Sequence, residues 1–235
     1  MKNPLLLIIS GLAILTACNS DEPKKEEAWT PNNGNCEYID LGLPSGNLWA
    51  YANIGAPVRN PFIEGWGVDY SMKQLGDRYA WGELLNKDVF TPENYEYSLP
   101  LSSDDNQYAT DGIVANISLT QFDTAHNIWG GDWQMPSRDD FEELINACEQ
   151  IWSIDDPQYE TLILVGPNNK TIFFRLRQCE EGNRRLLAQF WTGETVENDS
   201  QNAYALEIDE NGIRITTAIP KYEGCYIRPI IKQKN

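Results

Sequence analysis

The sequence predicts an α+β domain: an antiparallel sheet, two helices and long loops. Three observations carry that expectation. Two stretches between residues 120 and 148 place apolar residues at helical spacing. After Cys148 the spacing becomes that of strands, with turn sequences between the runs. Before residue 120 the chain shows only short strand-like runs among Gly, Pro and Trp. Helices segregated between sheet-forming segments are the mark of the α+β class.

The N-terminus is not part of that domain. Lys2 precedes an apolar run from Leu5 to Leu15, broken only by Ser10 and Gly11, and the segment closes on Leu15-Thr16-Ala17-Cys18. A basic start, an apolar stretch of this length and small residues before a cut site describe an export signal over residues 1–17. A permanent membrane helix needs about 20 apolar residues, more than this run supplies. Leu-Thr-Ala-Cys resembles a bacterial lipobox. The resemblance implies that Cys18 is diacylated, becomes the new N-terminus and anchors the protein to a membrane. The alternative is a plain secretory signal with a chance cysteine.

Residues 18–35 carry Asp21, Glu22, Pro23, Lys24, Lys25, Glu26 and Glu27, then Pro31 and Gly34, with Trp29 almost the only apolar residue. Such a stretch buries too little surface to offset its ordering entropy, so it reads as a tether. Its mean reach is roughly 20–25 Å. Ser20-Asp21-Glu22, directly after the cysteine, resembles the surface-export signal of Bacteroidetes lipoproteins. That implies an outer-membrane protein facing outward; an ordinary charged linker and a periplasmic domain are the alternative.

Residues 36–235 suit one domain. The formal charge is −17, and removal of Lys2 with the signal takes it to −18. So acidic a chain lacks the basic face that nucleic acid or anionic lipid requires. Of the eight tryptophans only Trp29 lies outside the domain. Of the five cysteines Cys18 is assigned to lipid, leaving Cys36, Cys148, Cys179 and Cys225 as disulfide candidates. Three connectivities are open; Cys148 with Cys225 is the preferred pairing, and buried free thiols are the alternative.

Within the domain, Tyr38–Leu41, Leu48–Tyr51 and Arg78–Trp81 read as short strands. The first helix starts near Thr120, with Asp123 completing a capping-box variant. Phe122, Ala125, His126 and Trp129 share its inner face, and Gly130-Gly131 ends it. Ser137 caps the second helix, with Asp139 and Asp140 in its positive first turn and Phe141, Leu144, Ile145 and Cys148 as its apolar stripe. Thr161–Val165 and Thr171–Leu176 flank the turn Gly166-Pro167-Asn168-Asn169, and Ala203–Ile208 and Ile213–Thr217 flank Asp209-Glu210-Asn211-Gly212. Leu187–Thr192 and Cys225–Ile231 are further strands.

Several of these segments carry a family likeness. Tyr38-Ile39-Asp40-Leu41-Gly42-Leu43-Pro44-Ser45-Gly46-Asn47-Leu48-Trp49-Ala50, continued by Asn53-Ile54-Gly55-Ala56, resembles the opening motif of the Fibrobacter succinogenes major paralogous domain. Tyr79-Ala80-Trp81-Gly82-Glu83, Trp129 to Ser137, Phe190-Trp191-Thr192, Ala203 to Leu206 and Arg228-Pro229-Ile230 match later positions in the same order. That family is similar to C-type-lectin-like domains, relatives of the formylglycine-generating enzymes. The resemblance implies a compact domain with loops presented on one side. Phe174-Arg175-Leu176-Arg177-Gln178-Cys179 and Trp191-Thr192-Gly193 depart from the family's usual segments, so no particular ligand carries over.

The chemistry points away from catalysis. His126 is the only histidine, which excludes a multi-histidine zinc site, and its helix face makes it a structural residue. Formylglycine-type chemistry would need a reduced cysteine pair, whereas Cys179 and Cys225 are far apart in sequence and oxidising surroundings would silence them. Asp104-Asp105, Asp139-Asp140, Asp155-Asp156 and Glu180-Glu181 are adjacent acids, which do not face one another as a glycosidase pair must. No cofactor is expected; Asp104, Asp105, Asn106 and Asp111 before Gly112 are the one group whose hard oxygens would suit a structural calcium. Trp66 and Trp81 are the candidate ligand-binding platforms, since an indole stacks on the apolar face of a sugar. Trp129, Trp133 and Trp191 are expected in the core. The sequence thus points to a lipid-anchored, non-catalytic domain that binds a glycan or a surface protein. The alternatives are an interaction subunit of a surface assembly and, more remotely, a formylglycine-generating-like enzyme.

Overall fold

A computed structural model of the chain describes residues 37–56, 75–100, 108–110, 116–156, 159–178, 186–209 and 211–233. The expected signal and tether with Cys18, and Cys36, Trp66, the residues proposed for calcium and Cys179, lie outside those residues.

Strands β1 (Tyr38–Asp40) and β2 (Leu48–Ala50) form a short hairpin. A 3-10 turn at Pro92–Asn94 precedes a separate pair, β3 (Ser98–Pro100) with β4 (Tyr108–Thr110). Helix α1 (Thr124–Trp129), the two-residue β5 (Trp133–Gln134) and helix α2 (Arg138–Ala147) follow. Then come β6 (Glu149–Asp156), β7 (Tyr159–Val165), β8 (Thr171–Gln178), β9 (Leu186–Thr195), β10 (Asn202–Asp209), β11 (Gly212–Pro220) and finally β12 (Ile230–Ile231). Strands β6 to β11 form one antiparallel meander in which every neighbour in space is a neighbour in sequence. β12 instead returns to lie between β2 and β5, completing a second sheet of order β1-β2-β12-β5. The α+β class is therefore observed, with two helices between the N-terminal strands and the large sheet.

Two core clusters result. In the first, Phe141 and Leu144 of α2 are fully buried with Leu206 and Ile208 of β10, and the Phe141 ring lies 5.2 Å from Trp49. In the second, Trp81, Trp129, Trp133 and Trp191 pack with Ala203, Ala205 and Met135. The three expected core tryptophans are all there. Between the clusters runs the segment 225–229. It was expected to be one long strand, but only Ile230 and Ile231 join a ladder. Cys225 bridges Tyr79, Tyr226 bridges Phe190, and the carbonyls of Ile227 and Pro229 accept from Ile54 and Ala50. A segment that bonds to several neighbours in turn cannot follow one strand.

Arg228 fixes this seam. Its Nε donates to Asn53 Oδ1 at 2.6 Å, one terminal nitrogen donates to the Phe173 carbonyl at 2.9 Å, and its guanidinium lies 4.7 Å from the Phe174 ring. Burial among neutral oxygens pulls its pKa down to about 9.

Other expectations shift. Helix α1 begins at Thr124, not near Thr120. Leu119 has φ +61°, Thr120 closes a local turn by donating its hydroxyl to the Ile117 carbonyl at 2.6 Å, and Asp123 is the true cap, accepting from the His126 N–H. Helix α2 is capped as expected: Ser137 and Asp140 form a reciprocal box. Arg78–Trp81 is not a strand but a single bridge. The Cys148–Cys225 disulfide is not formed. Both thiols are free, Cys148 in the first cluster and Cys225 in the second. Burial pushes Cys148 up to about 11 and Cys225 well above its ordinary value, so both stay protonated and unreactive. Strand β6 was not foreseen, because Glu149-Gln150-Ile151-Trp152-Ser153-Ile154 does not alternate and no turn residue separates it from α2.

Candidate functional site

The long segment between β2 and α1 is where the fold spends its unusual contacts. Trp81 anchors it. The residue is fully buried, its indole N–H donates to the Thr192 carbonyl at 2.8 Å, and the Lys221 ammonium sits 4.5 Å from its ring centre. Trp81 is therefore not the sugar platform expected of it: it is a core residue with a cation already on its face. Lys221 is itself buried, at 1% exposure, and desolvation lowers its pKa to about 8, opposed by the charge of Asp199.

Beyond Trp81, Gly82 takes φ +83°, a conformation that costs a glycine little, and aims Glu83 inward. The Glu83 carboxylate accepts the Glu96 N–H at 2.6 Å and pairs with Lys87 at 2.5 Å. Lys87 also donates to the Asn94 carbonyl. Asn94 reaches back, accepting from the Thr91 N–H and donating to the Val89 carbonyl at 2.9 Å. The Tyr95 hydroxyl donates to the Trp81 carbonyl at 2.7 Å, and burial raises its pKa far above the ordinary phenol value. Thr124, at the start of α1, donates its hydroxyl to the Glu83 carbonyl at 2.8 Å. Phe90 lies under the Arg78 guanidinium and against Gly224, where an added Cβ would come within 2.4 Å of its ring. Tyr97 stacks edge-on between Tyr95 and Phe122.

This bracing leaves its apolar tip in water. Leu84 is 37% exposed, Leu85 75% and Val89 63%, and Leu119 beside the Asp123 cap is 51% exposed. Single exposed apolar residues are ordinary, but three within six residues on a pinned loop are not. Asp88, Glu93 and Glu96 are also exposed. Lys87, the only cation between residues 83 and 97, is held by Glu83.

The remaining polar groups are engaged in structure. Ser137 donates its hydroxyl to Asp140 Oδ2 at 2.5 Å, and Lys232 pairs with the same oxygen at 2.9 Å. Ser45 donates to Glu143 from both its N–H and its hydroxyl. His126 is half-buried, and its Nδ1 has no hydrogen-bond partner among the described residues. Asp139 is exposed while Asp140 faces inward, so these adjacent acids part as expected. Glu207 and Asp209, which share one face of β10, are both bound by Arg214 and close the β10–β11 hairpin. Sequence reasoning passed over that pair, although strand spacing marks it, and over Glu83 with Lys87, although four residues separate them. Among the described residues no group of three or more His, Cys, Asp or Glu could hold a metal ion, and no helix is long and apolar enough to cross a membrane.

A scan against protein-family models, a search of curated proteins and a search of solved structures each return no match.

Proposed function

We propose that the chain is a lipoprotein of the bacterial outer membrane, held by lipid on Cys18 and facing outward, whose domain of C-type-lectin-like type binds a ligand and does not transform one. The observation that carries the reading is the loop at residues 83–97: braced from inside by Glu83, Asn94 and Tyr95, it holds Leu84, Leu85 and Val89 in solvent. A loop cluster at one end of a compact domain is what the family likeness implies. Ordering exposed apolar side chains costs entropy that only a bound partner returns. Among the described residues, Ser45, Ser137, Asp140, Glu83, Glu207 and Asp209 are tied into caps and ion pairs, and Cys148 and Cys225 lie in the core. The formylglycine-type alternative is the least supported, because it needs a reactive cysteine pair and Cys225, one of the two candidates, is a buried thiol whose pKa burial raises well above its ordinary value.

The loop favours a protein ligand over a glycan. Sugar stacking needs an exposed flat ring, and Trp81 is covered, whereas aliphatic anchors suit a protein surface. A role as interaction subunit of a surface assembly would use the same loop. The test is a glycan array probed with the full-length protein in detergent micelles, with calcium and with chelator. The expected result is a blank array in both conditions. Selective binding to one sugar class would replace the protein-ligand reading with a lectin, and loss on chelation would add a calcium site to it.

A further inference from the structure

We infer that Asn211 is a site of spontaneous covalent modification, where the folded chain converts an asparagine at a hairpin turn into aspartyl and isoaspartyl products. The inference is independent of what the domain binds. The chemistry is intramolecular: the Gly212 backbone nitrogen attacks Asn211 Cγ, the Cγ–Nδ2 bond breaks, and ammonia leaves with the proton of the Gly212 N–H. A cyclic imide remains, and solvent water adds to one of its carbonyls. Opening at the bond between Cγ and the Gly212 nitrogen gives aspartate. Opening at the original peptide bond gives isoaspartate, whose main chain runs through Cβ and Cγ. No oxidant and no molecule other than water is needed.

The requirements meet at this turn. Asn211 is exposed and lies between Asp209 and Gly212, which pair across β10 and β11. Its own N–H donates to Asp209 Oδ1 at 2.8 Å, whereas its Nδ2 meets Asp209 Oδ2 only at 3.4 Å, near the limit of a hydrogen bond. The carboxamide is thus loosely held on a pinned backbone. Gly212 has no side chain to screen its nitrogen, and a Cβ built there would meet nothing within 4 Å, so that side of the turn is open. Other exposed asparagines lack the combination. Asn94, Asn116 and Asn127 precede Tyr95, Ile117 and Ile128, whose side chains screen the attacking nitrogen. Nδ2 of Asn94 and of Asn127 is also held by carbonyls at 2.9 and 2.8 Å. The sequence's other Asn-Gly step, Asn33-Gly34, lies outside the described residues.

The modification reaches the core through β11. Glu207 and Asp209 already share the Arg214 guanidinium, so a carboxylate at 211 adds like charge beside Asp209. Isoaspartate also lengthens the main chain within the turn that the Asp209–Gly212 pair closes. Ile213 and Ile215, next along β11, pack against the first core cluster and loosen with the turn.

The experiment ages the full-length protein in detergent micelles in neutral buffer and digests it with pepsin in acid. Mass spectrometry reads conversion at each asparagine, and electron-transfer fragmentation distinguishes isoaspartate from aspartate. In the folded protein Asn211 is expected to convert at least about tenfold faster than Asn94, Asn116 or Asn127, giving both products. Gly212→Ala should slow conversion at Asn211 about tenfold. Asn211→Gln keeps Gly212 and moves the carboxamide out by a methylene, which demands a larger ring, so conversion there should be lost. Hydrogen exchange in the aged protein should accelerate at 207–209 and 211–215 and not in β7. Asn211→Asp supplies the charge without the longer main chain and should accelerate the same residues less. Conversion of Asn33 with Asn211 intact would mean that the fold protects the turn, and would overturn the inference. Equal rates at Asn211 and Asn94, an unchanged rate in Gly212→Ala, or the same exchange change in aged Asn211→Gln protein would each overturn it as well.

Discussion

The two parts of this domain are ordered by different means. From β6 to β11 the backbone does most of the work: antiparallel ladders join six strands, long within β6–β7–β8 and within β9–β10–β11, with bulges at 153–156 and 203–205 and two residue pairs linking β8 to β9. Among the described residues from 75 to 123 there are isolated bridges, short 3-10 turns and the β3–β4 pair. Here the path is set by side chains bonding to backbone: the Trp81 indole to Thr192, the Tyr95 hydroxyl to Trp81, Glu83 to Glu96, Asn94 to Val89 and Asp123 to Leu119 and Met135. A ladder uses up its backbone groups and leaves a regular surface. A side-chain-braced loop carries no such regularity, and Leu85 and Val89 on it are more exposed than Ile151 and Trp152 on edge strand β6.

That difference is most directly broken at Trp81. Trp81→Ala would remove a fully buried indole, its bond to Thr192 and the ring under Lys221. A cost of about 3–5 kcal/mol is expected from denaturant unfolding. Amide exchange should accelerate first at 79–97 and 117–124, while β7 and β8 keep their protection relative to the global transition. Uniform acceleration through the ladder would show that both parts are one cooperative unit and that the contrast is only one of appearance.

The same contrast explains what could be read in advance. Ladders have a sequence period, so β7, β8, β9, β10 and β11 were found within a few residues of their ends, and both helices were placed, α2 with its Ser137 cap. Bracing by side chains has no period. Glu83 contacts residues four and thirteen positions on, and Trp81 bonds a carbonyl of β9, so nothing local distinguishes a platform tryptophan from a core one. Trp81 was misjudged for that reason, while Trp129 and Trp133, which sit on or beside a helix with a visible apolar face, were not. The expected Cys148–Cys225 pairing failed similarly. Compartment and parity favour pairing, but they carry no distance, and Cys148 and Cys225 belong to separate clusters. Trp152, 39% exposed on edge strand β6, is the described tryptophan that does face solvent, and no motif marked it.

Lys221 tests the bracing from the opposite direction, because here the braced part carries a cost. Its pKa falls from 10.5 to about 8 in the fold. Below pH 8 the folded state holds a charge that burial disfavours. Between pH 8 and 10.5 the unfolded chain holds more protons, so this group's contribution to stability rises with pH there. Lys221→Met removes the charge and keeps much of the stem's packing. The variant is expected to be more stable than the parent at pH 7, by up to about 3 kcal/mol, with the advantage shrinking as pH climbs from 8 to 10.5. Comparing the two proteins at each pH cancels every other titrating group. A constant difference across that range, or a variant less stable at pH 7, would mean that the ammonium over Trp81 stabilises the loop instead of burdening it.

The smallest effects separate the two parts through their glycines. Gly212, at the β10–β11 turn, has φ +119°, and a Cβ built there meets nothing within 4 Å. Gly212→Ala therefore costs backbone strain alone, about 1–2 kcal/mol, confined to the end of a hairpin that Arg214 still ties through Asp209. Gly224 is the reverse case. A Cβ there would lie 2.4 Å from the Phe90 ring, so Gly224→Ala is a packing insult that half-buried Phe90 escapes by swinging outward. The expected outcome is a modest loss of melting temperature in both, with exchange or crosslinking changes at 84–90 only for Gly224→Ala. Because the ladder does not depend on Gly212 for anything but its turn, its other strands should report no change. If Gly212→Ala instead disturbed residues 84–90, the loop's shape would be set by the sheet, and bracing by side chains would not be what holds its apolar tip in solvent.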